Sequence, residues 1–387
     1  MGSLVAVDGG RSRCRAAVVG ADGRPGPVAE GSGIPPLGGP AAADGIVDAL
    51  AATIASAVVM AAAARHEVGR VETVSAGLAG LLGARDVAVA VAARLHDRLG
   101  AGRVALCGDV VAAHAGALPD PDGGVVVVAG TGAVAFGAVP VKIPEVDGRP
   151  PAASPPAGRT GRYGPGAVGP GGRGPGGVGV GGAGPAGGAW AFDSAVACVD
   201  GWGHLLGDAG SGFWIGRRGL DAALRAHDGR SGGSPVLARL VERDIGPLDQ
   251  LPELAARAGA GPVAAIASFS VQVAEAAGEG DDIARYIWLE AATALADSAV
   301  ACARRLYPER PAPVAVSWVG GLWSAPEALL LDPFLARIRA TFPAADLMPP
   351  AADALTGAAR LAAPAARGAL SGLVFDSTRA RRPAVSA

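Results

Sequence analysis

Leu4-Val5-Ala6-Val7-Asp8-Gly9-Gly10-Arg11-Ser12-Arg13-Cys14 carries an apolar strand into a glycine turn, and residues 16–19 resume as a second strand. The device returns at Val125-Val126-Val127-Val128-Ala129-Gly130-Thr131-Gly132-Ala133-Val134, where four valines lead into a Gly-Thr-Gly turn and another strand. Glycines let a backbone approach a phosphate closely, and the small hydroxyl of Ser12 can donate to one of its oxygens. Asp8, ending an apolar strand, is placed to hold a hydrated Mg²⁺. Either turn by itself also reads as a plain hairpin, because Asp-Gly is a common hairpin signal. Two such units about one domain apart are what a nucleotide held between two related domains needs. They read as a duplicated unit rather than a short-period repeat.

Around these turns, strands and helices interleave. Residues 44–65 read as helix, 71–75 as strand, 84–99 as helix, 104–107 as strand and 110–118 as a short helix, and 133–139 completes the second hairpin. Further along, 212–227, 263–277, 281–307, 333–341 and 352–362 read as helices, with one strand at 314–319. Such interleaving argues an α/β fold. At 387 residues the chain is long for a single core and comfortable for two domains. Half the residues are hydrophobic but only 4% are aromatic, so the core falls to Ala, Val and Leu. Gly 61 and Pro 31 together are about twice average usage. Of these, 17 Gly and 8 Pro lie in 148–188 without a collagen period, which reads as a disordered insertion.

With 33 basic and 35 acidic residues the net charge is −2, which argues against a nucleic-acid footprint or a polybasic membrane patch. The apolar stretch 49–64 is mostly alanine and shorter than a membrane span, so it reads as a buried helix. The run 4–7 is too short for a signal peptide. Cys14, Cys107, Cys198 and Cys302 show no C-x-x-C spacing, which fits a reducing cytoplasm and gives neither a disulfide framework nor a zinc site. Lys142 is the only lysine and asparagine is absent, so no role in this chain falls to Asn.

Three further segments carry chemistry. Asp109 follows the strand 104–107 and opens the next helix; a carboxylate there could take a proton from an attacking hydroxyl, or serve simply as a helix cap. The segment 200–216, Asp-Gly-Trp-Gly-His-Leu-Leu-Gly-Asp-Ala-Gly-Ser-Gly-Phe-Trp-Ile-Gly, forms a tight glycine-rich loop feeding an apolar helix. In it, Asp208 could accept from paired substrate hydroxyls and Trp202 offers a flat apolar wall, while His204 reads more readily as structural. The strand Val314–Val319 ends in Gly320-Gly321-Leu322-Trp323, where glycines would let a flat base lie on the backbone.

In their order along the chain, Asp8-Gly9-Gly10 with Ser12, Gly77-Leu78-Ala79-Gly80, Gly108-Asp109, Ala129-Gly130-Thr131-Gly132, the 201–216 segment and Val319-Gly320-Gly321-Leu322-Trp323 resemble the N-acetylglucosamine kinase group. That group is part of the BadF/BadG/BcrA/BcrD ATPase family, within the actin-like ATPase superfamily, and the resemblance spans nearly everything outside 148–188. It implies two RNase H-like α/β domains, roughly 1–115 and 116–370, with a nucleotide cleft between them and a flexible tail at 371–387. It also implies ATP and Mg²⁺ as cofactors, and transfer of the γ-phosphoryl group to a hexose or amino sugar such as N-acetylglucosamine or glucosamine. A homodimer is suggested, with neither nucleic acid nor membrane as partner. By the same resemblance, Gly9, Gly10 and Ser12 form the first phosphate loop, and Gly130, Thr131 and Gly132 the second. Gly320, Gly321 and Leu322, with Gly280 nearby, line the nucleotide. Asp109 is similar to the catalytic base that also holds the sugar. Gly201, Trp202, Gly203 and Asp208 match the sugar-contacting segment, Asp8 holds Mg²⁺ through water, and Gly77 and Ala79 sit near the cleft.

The chain departs from the family pattern at four places. The Asn that usually precedes the catalytic Asp is Gly108, the Ser-Asn that often follows Gly-Thr-Gly is Ala133-Val134, the early sugar loop 31–36 has no Asn, and the Glu after the second sugar Asp is Ala209. Phosphate chemistry therefore reads as intact and the polar shell around the sugar as thinned, each lost donor to a buried hydroxyl costing about 1–3 kcal/mol. Two rivals follow. An ATPase that energises an electron-transferring partner is disfavoured by the scattered cysteines. A non-catalytic sugar- or nucleotide-binding protein is favoured by the missing polar partners and disfavoured by the intact Asp8, Asp109, Thr131 and Asp208.

Overall fold

The computed structural model describes residues 2–39, 42–120, 123–140, 194–256, 259, 261–308 and 313–379; the insertion 148–188 lies outside the described residues. The opening hairpin pairs β1 (Ser3–Gly9) antiparallel with β2 (Arg13–Val19), which sets Asp8 opposite Arg15. β3 (Ala29–Ser32) continues the antiparallel ladder on β2, while β4 (Val71–Leu78) and β5 (Arg103–Gly108) run parallel to β1. The second half repeats this plan. β6 (Val125–Ala129) and β7 (Ala133–Pro140) make the hairpin, β8 (Ser194–Asp200) extends it, and β9 (Val314–Val319) and β10 (Ala345–Leu347) run parallel to β6. Both sheets thus share one order, third-second-first-fourth-fifth strand, so the duplication read in the two glycine turns extends to whole sheets.

One face of the first sheet is covered by α1 (Ala43–Ala63) and α2 (Arg85–Leu99), whose Ile46, Leu50, Ile54, Val91 and Leu95 bury against Val5, Val7, Val74 and Leu106. Among the described residues α1 is the one helix long and apolar enough to cross a bilayer, and here its apolar stripe packs on that sheet. The opposite face meets α3 (Asp109–Ala117) and α11 (Ala354–Leu361), which lie between the two sheets: Ala6, Ala17 and Ala105 of the first share a cluster with Phe136 and Ala138 of the second. The two helices cross on glycine, since a Cβ on Gly357 would stand 1.8 Å from the Ala112 carbonyl. Next to this crossing the Ala351 N–H donates to the Ala117 carbonyl (2.8 Å), joining the two strands of chain that pass between the halves. On the second sheet lies α9 (Asp282–Leu306), with α10 (Leu331–Thr341) beside it, and α4 (Gly212–His227), α5 (Pro235–Asp244), α6 (Leu251–Ala256), α7 (Pro262–Ser268) and α8 (Ser270–Gly278) pack outside it in one hydrophobic cluster. The few aromatics are placed where they fill most: Trp288, Phe136, Phe269 and Phe334 are fully buried, and truncating such a ring to Ala costs about 3–5 kcal/mol.

Two sequence expectations are corrected. The tail expected to be flexible from 371 instead supplies β11 (Phe375–Thr378), an antiparallel edge strand on β5, held by Arg103 and Arg367 on Asp376. With α11, which packs on β1 and β4, it returns the chain to the first sheet, while 368–373 rests on β7 and β8 of the second. The helix expected over 263–277 is two helices separated at Phe269, where Gly216 of α4 approaches so closely that a Cβ would stand 1.9 Å from the Ile266 carbonyl.

Candidate active site

The parallel strands β1, β4 and β5 end level, with Asp8 beside Gly77 and Gly77 beside Cys107. The turns that leave them share one edge, where open α/β sheets hold ligands. The first glycine turn is closed by the Gly10 N–H on the Arg13 carbonyl (3.0 Å) and is gripped from two sides. The Ala79 N–H donates to the Gly9 carbonyl (2.9 Å), and the Ile34 N–H donates to the Gly10 carbonyl (3.0 Å). The second turn is held differently. The first amides of α4 point at it, Gly212 N–H donating to the Gly130 carbonyl (2.8 Å) and Phe213 N–H to the Thr131 carbonyl (3.2 Å). Ser12 Oγ and Thr131 Oγ1 then stand 3.3 Å apart, so the two turns meet at their hydroxyls across 119 residues of sequence.

Asp109 is the first residue of α3. The N-cap position falls to Gly108, while the Asp109 carboxylate accepts from the first-turn Val110 N–H (2.9 Å). Burial, and then the neighbouring charge of Asp8, push its pKa up to about 6; the Val110 N–H and Arg11 oppose the rise. A carboxylate so poised takes a proton readily near neutral pH. Asp8 is ion-paired through Oδ2 to Arg15, Nη2 at 2.7 Å and Nε at 3.2 Å. Arg15 reaches on with Nη1 to Asp353 (2.9 Å), the residue that caps α11 through the Thr356 N–H.

Gly320, at φ +114°, closes the end of β9 so tightly that a Cβ would meet the Ala129 carbonyl at 2.2 Å, which sets the 320–323 turn beside the second glycine turn. Trp323 in that turn packs on Phe334 (ring centroids 4.8 Å apart) and keeps its Nε1 buried without a partner among the described residues. Leu322 is buried. Gly280 lies at the turn between α8 and α9, at φ +98°, with Ala277 and Arg285 as near neighbours.

The 200–211 loop is tied down by two aspartates that both hold left-handed backbone, Asp200 at φ +62° and Asp208 at φ +56°. The Asp200 carboxylate accepts from the Asp208 N–H (2.7 Å) and the Ala209 N–H (2.8 Å). The Asp208 carboxylate accepts from the Gly203 N–H (3.2 Å) and from the Ala133 N–H, with one oxygen lying against Gly132; burial raises its pKa. Asp208 therefore fastens the loop carrying Gly201, Trp202 and Gly203 to the second glycine turn. At the loop's tip, Trp202 is 75% exposed, between the fixed Asp200 and Asp208. Three residues of this site carried no role in the sequence reading: Asp200, Arg11 and Arg15. Only the register of the hairpin could have suggested the last, by setting it opposite Asp8.

The model of the BadF/BadG/BcrA/BcrD ATPase family matches residues 162–359, which is 198 of the 387. The chain belongs to this family. Its fold is the two-domain actin-like ATPase fold shared with sugar kinases. A candidate N-acetylglucosamine kinase from Chromobacterium violaceum is 22% identical, with a TM-score of 0.60 over 94% of this chain and 99% of that one. One from Porphyromonas gingivalis is 16% identical, with a TM-score of 0.60 over 93% and 97%. A ROK family glucokinase from Streptomyces griseus, solved with glucose and AMPPNP, is 20% identical, with a TM-score of 0.55 over 93% and 99%. No protein of curated function matches the sequence.

Proposed function

We propose that this member of the BadF/BadG/BcrA/BcrD ATPase family transfers the γ-phosphoryl group of ATP to a hydroxyl of a hexose or amino sugar. The observation that carries it is the meeting of the two hairpin turns, Ser12 on Thr131, with Asp109 on the same strand edge as the first turn. Phosphoryl transfer needs little covalent help from a protein, so positioning and charge do most of the work. The glycine turns offer backbone and hydroxyl donors to the phosphates, and the 320–323 turn receives the base. Asp109, with its pKa near 6, takes the proton of the attacking hydroxyl. The sugar lies against the 201–208 loop, with N-acetylglucosamine or glucosamine as the first substrates to try.

Asp8 stands at the strand edge with its Oδ2 on Arg15. A single carboxylate suits Mg²⁺, which keeps waters and binds through one or two carboxylates plus substrate phosphates. Asp8 is the carboxylate to hold it, and the ion supplies charge neutralisation on the phosphate oxygens. A family member that binds without catalysing is favoured by the same thinned sugar shell, with Gly108 and Ala209 in place of Asn and Glu. Sugar-dependent release of ADP across hexoses and amino sugars tests the proposal. Turnover that depends on sugar supports it; tight binding of ATP and sugar with no turnover establishes the binding-only reading.

A further inference from the structure

The opening hairpin carries three arginines, and two of them are spent on carboxylates: Arg13 on Glu30 (3.0 Å) and Arg15 on both Asp8 and Asp353. Arg11 has no carboxylate within ion-pair distance among the described residues. Its Nη1 donates to the Pro35 carbonyl, and its Nη2 lies on the backbone at Gly80, where a Cβ would stand 2.8 Å away. Gly80 is at φ +81°, so this seat requires glycine for its conformation. Arg11, exposed at the surface, is thus seated between the 31–36 and 77–80 segments. Its neighbour Ser12 reaches Thr131. Partial burial draws the guanidinium below its ordinary pKa and the charge of Asp109 opposes this. The group stays cationic.

We infer that Arg11 reads an anionic substituent on the sugar, a carboxylate, and so sets the substrate class of this kinase. One consideration favours a carboxylate of the substrate over the γ-phosphate of ATP. The guanidinium is seated on the 31–36 and 77–80 segments and interacts electrostatically with Asp109, the residue proposed to take the proton of the attacking sugar hydroxyl. It restores, in a different chemical form, the polar recognition that Gly108, Ala209 and the 31–36 segment no longer offer. One carbonyl occupies only one of its five donors.

The inference rests on the proposed kinase activity, and the test separates the two. With the full chain, ADP release is measured on paired sugars that differ by a carboxylate: glucose against glucuronate, and 3-O-methylglucose against 3-O-carboxymethylglucose. The expected result is a kcat/KM ratio favouring the acidic member by about 10- to 100-fold, falling to near one in Arg11→Gln and partly returning in Arg11→Lys. A wild-type ratio at or below one, or a ratio that survives Arg11→Gln, overturns the inference. Equal loss on both members, with loss of ATP hydrolysis in the absence of sugar, assigns Arg11 to the γ-phosphate instead. A shift of the acid limb of the pH profile, with the ratio intact, reduces Arg11 to a residue that tunes Asp109. Thermal melting with each sugar, without ATP, supplies the second readout. If no sugar is phosphorylated, the kinase proposal fails, and an Arg11-dependent melting shift confined to the acidic sugars still establishes the anion site.

Discussion

The two glycine turns occupy the same place in the same sheet order, and their surroundings differ in kind. The first is surrounded by charge: Asp8, Arg11, Arg13 and Arg15 lie in or beside it, and Asp109 shares its edge. The second carries none of its own, and its carbonyls are held by the first amides of α4 while Asp208 leans on Gly132. Duplication therefore explains the scaffold and not the chemistry. In the proposed reaction one copy manages protons and ions, and the other presents a hydroxyl and a fixed backbone.

The largest test of that division is Asp109→Asn. Turnover should fall by about 10²- to 10⁴-fold while ATP affinity survives; unchanged turnover would sink the base assignment. The wild-type rate should rise through an acid limb near pH 6 as Asp109 loses its proton. The same shift has a consequence for stability. A carboxylate whose folded pKa lies above its unfolded value favours the folded state when protonated, and that contribution is lost as pH rises from about 4 to about 6. Asp109→Asn should therefore be more stable than wild type at neutral pH, by at most on the order of 2–3 kcal/mol, with the gain vanishing near pH 4. Urea midpoints at the two pH values check the sign, and a loss at neutral pH contradicts it.

Asp8→Asn is the next largest perturbation. Asp8 is the second cause of the raised Asp109 pKa, so its loss should move the acid limb to lower pH and raise the Mg²⁺ concentration needed for half-maximal rate. Thr131→Ala, in the uncharged turn, should leave the limb in place. If both variants move it equally, the two turns are not divided as described.

The hairpins were legible because each is local: a run of valines or alternating small residues, a glycine turn and a second run within about fifteen residues. Asp109 was legible because it closes a strand and opens a helix. What was missed depends on partners far away in sequence. β11 is four residues, Phe375–Thr378, and becomes a strand only because β5 offers an open edge about 270 residues earlier. β8 follows the glycine-rich insertion and gains its meaning from pairing with β7. The break at Phe269 exists because Gly216 brings α4 against Ile266, which no local helix signal records. Within the site, Asp200 looked like the start of a loop, and its role as acceptor for two amides emerges only once the loop has turned back on itself.

A smaller effect probes how the uncharged turn is held. Ser211 is fully buried and caps α4 by accepting from the Trp214 N–H (3.2 Å), while the next residues hold the Gly130 and Thr131 carbonyls. Ser211→Ala should cost about 1 kcal/mol of stability and raise KM for ATP more than for sugar. Asp353→Ala, which removes the cap of α11, should cost a similar amount and also leave Arg15 on Asp8 alone, so its kinetic signature should follow Mg²⁺ instead of ATP. Identical signatures from the two cap variants would erase the distinction between the turns.

The smallest effect is the one that reports most directly on how the turns meet. Ser12 Oγ and Thr131 Oγ1 are 3.3 Å apart at an exposed position, so in the free protein their hydrogen bond competes with water. A double-mutant cycle of Ser12→Ala and Thr131→Val should therefore give a stability coupling of no more than about 0.5 kcal/mol. With ATP bound, both hydroxyls turn to phosphate oxygens and act separately. Each substitution should then weaken ATP binding by about 5-fold, with the two losses additive. Strong coupling in the free protein together with no loss of ATP affinity would mean that the hydroxyls hold the two halves together and take no part in binding phosphate.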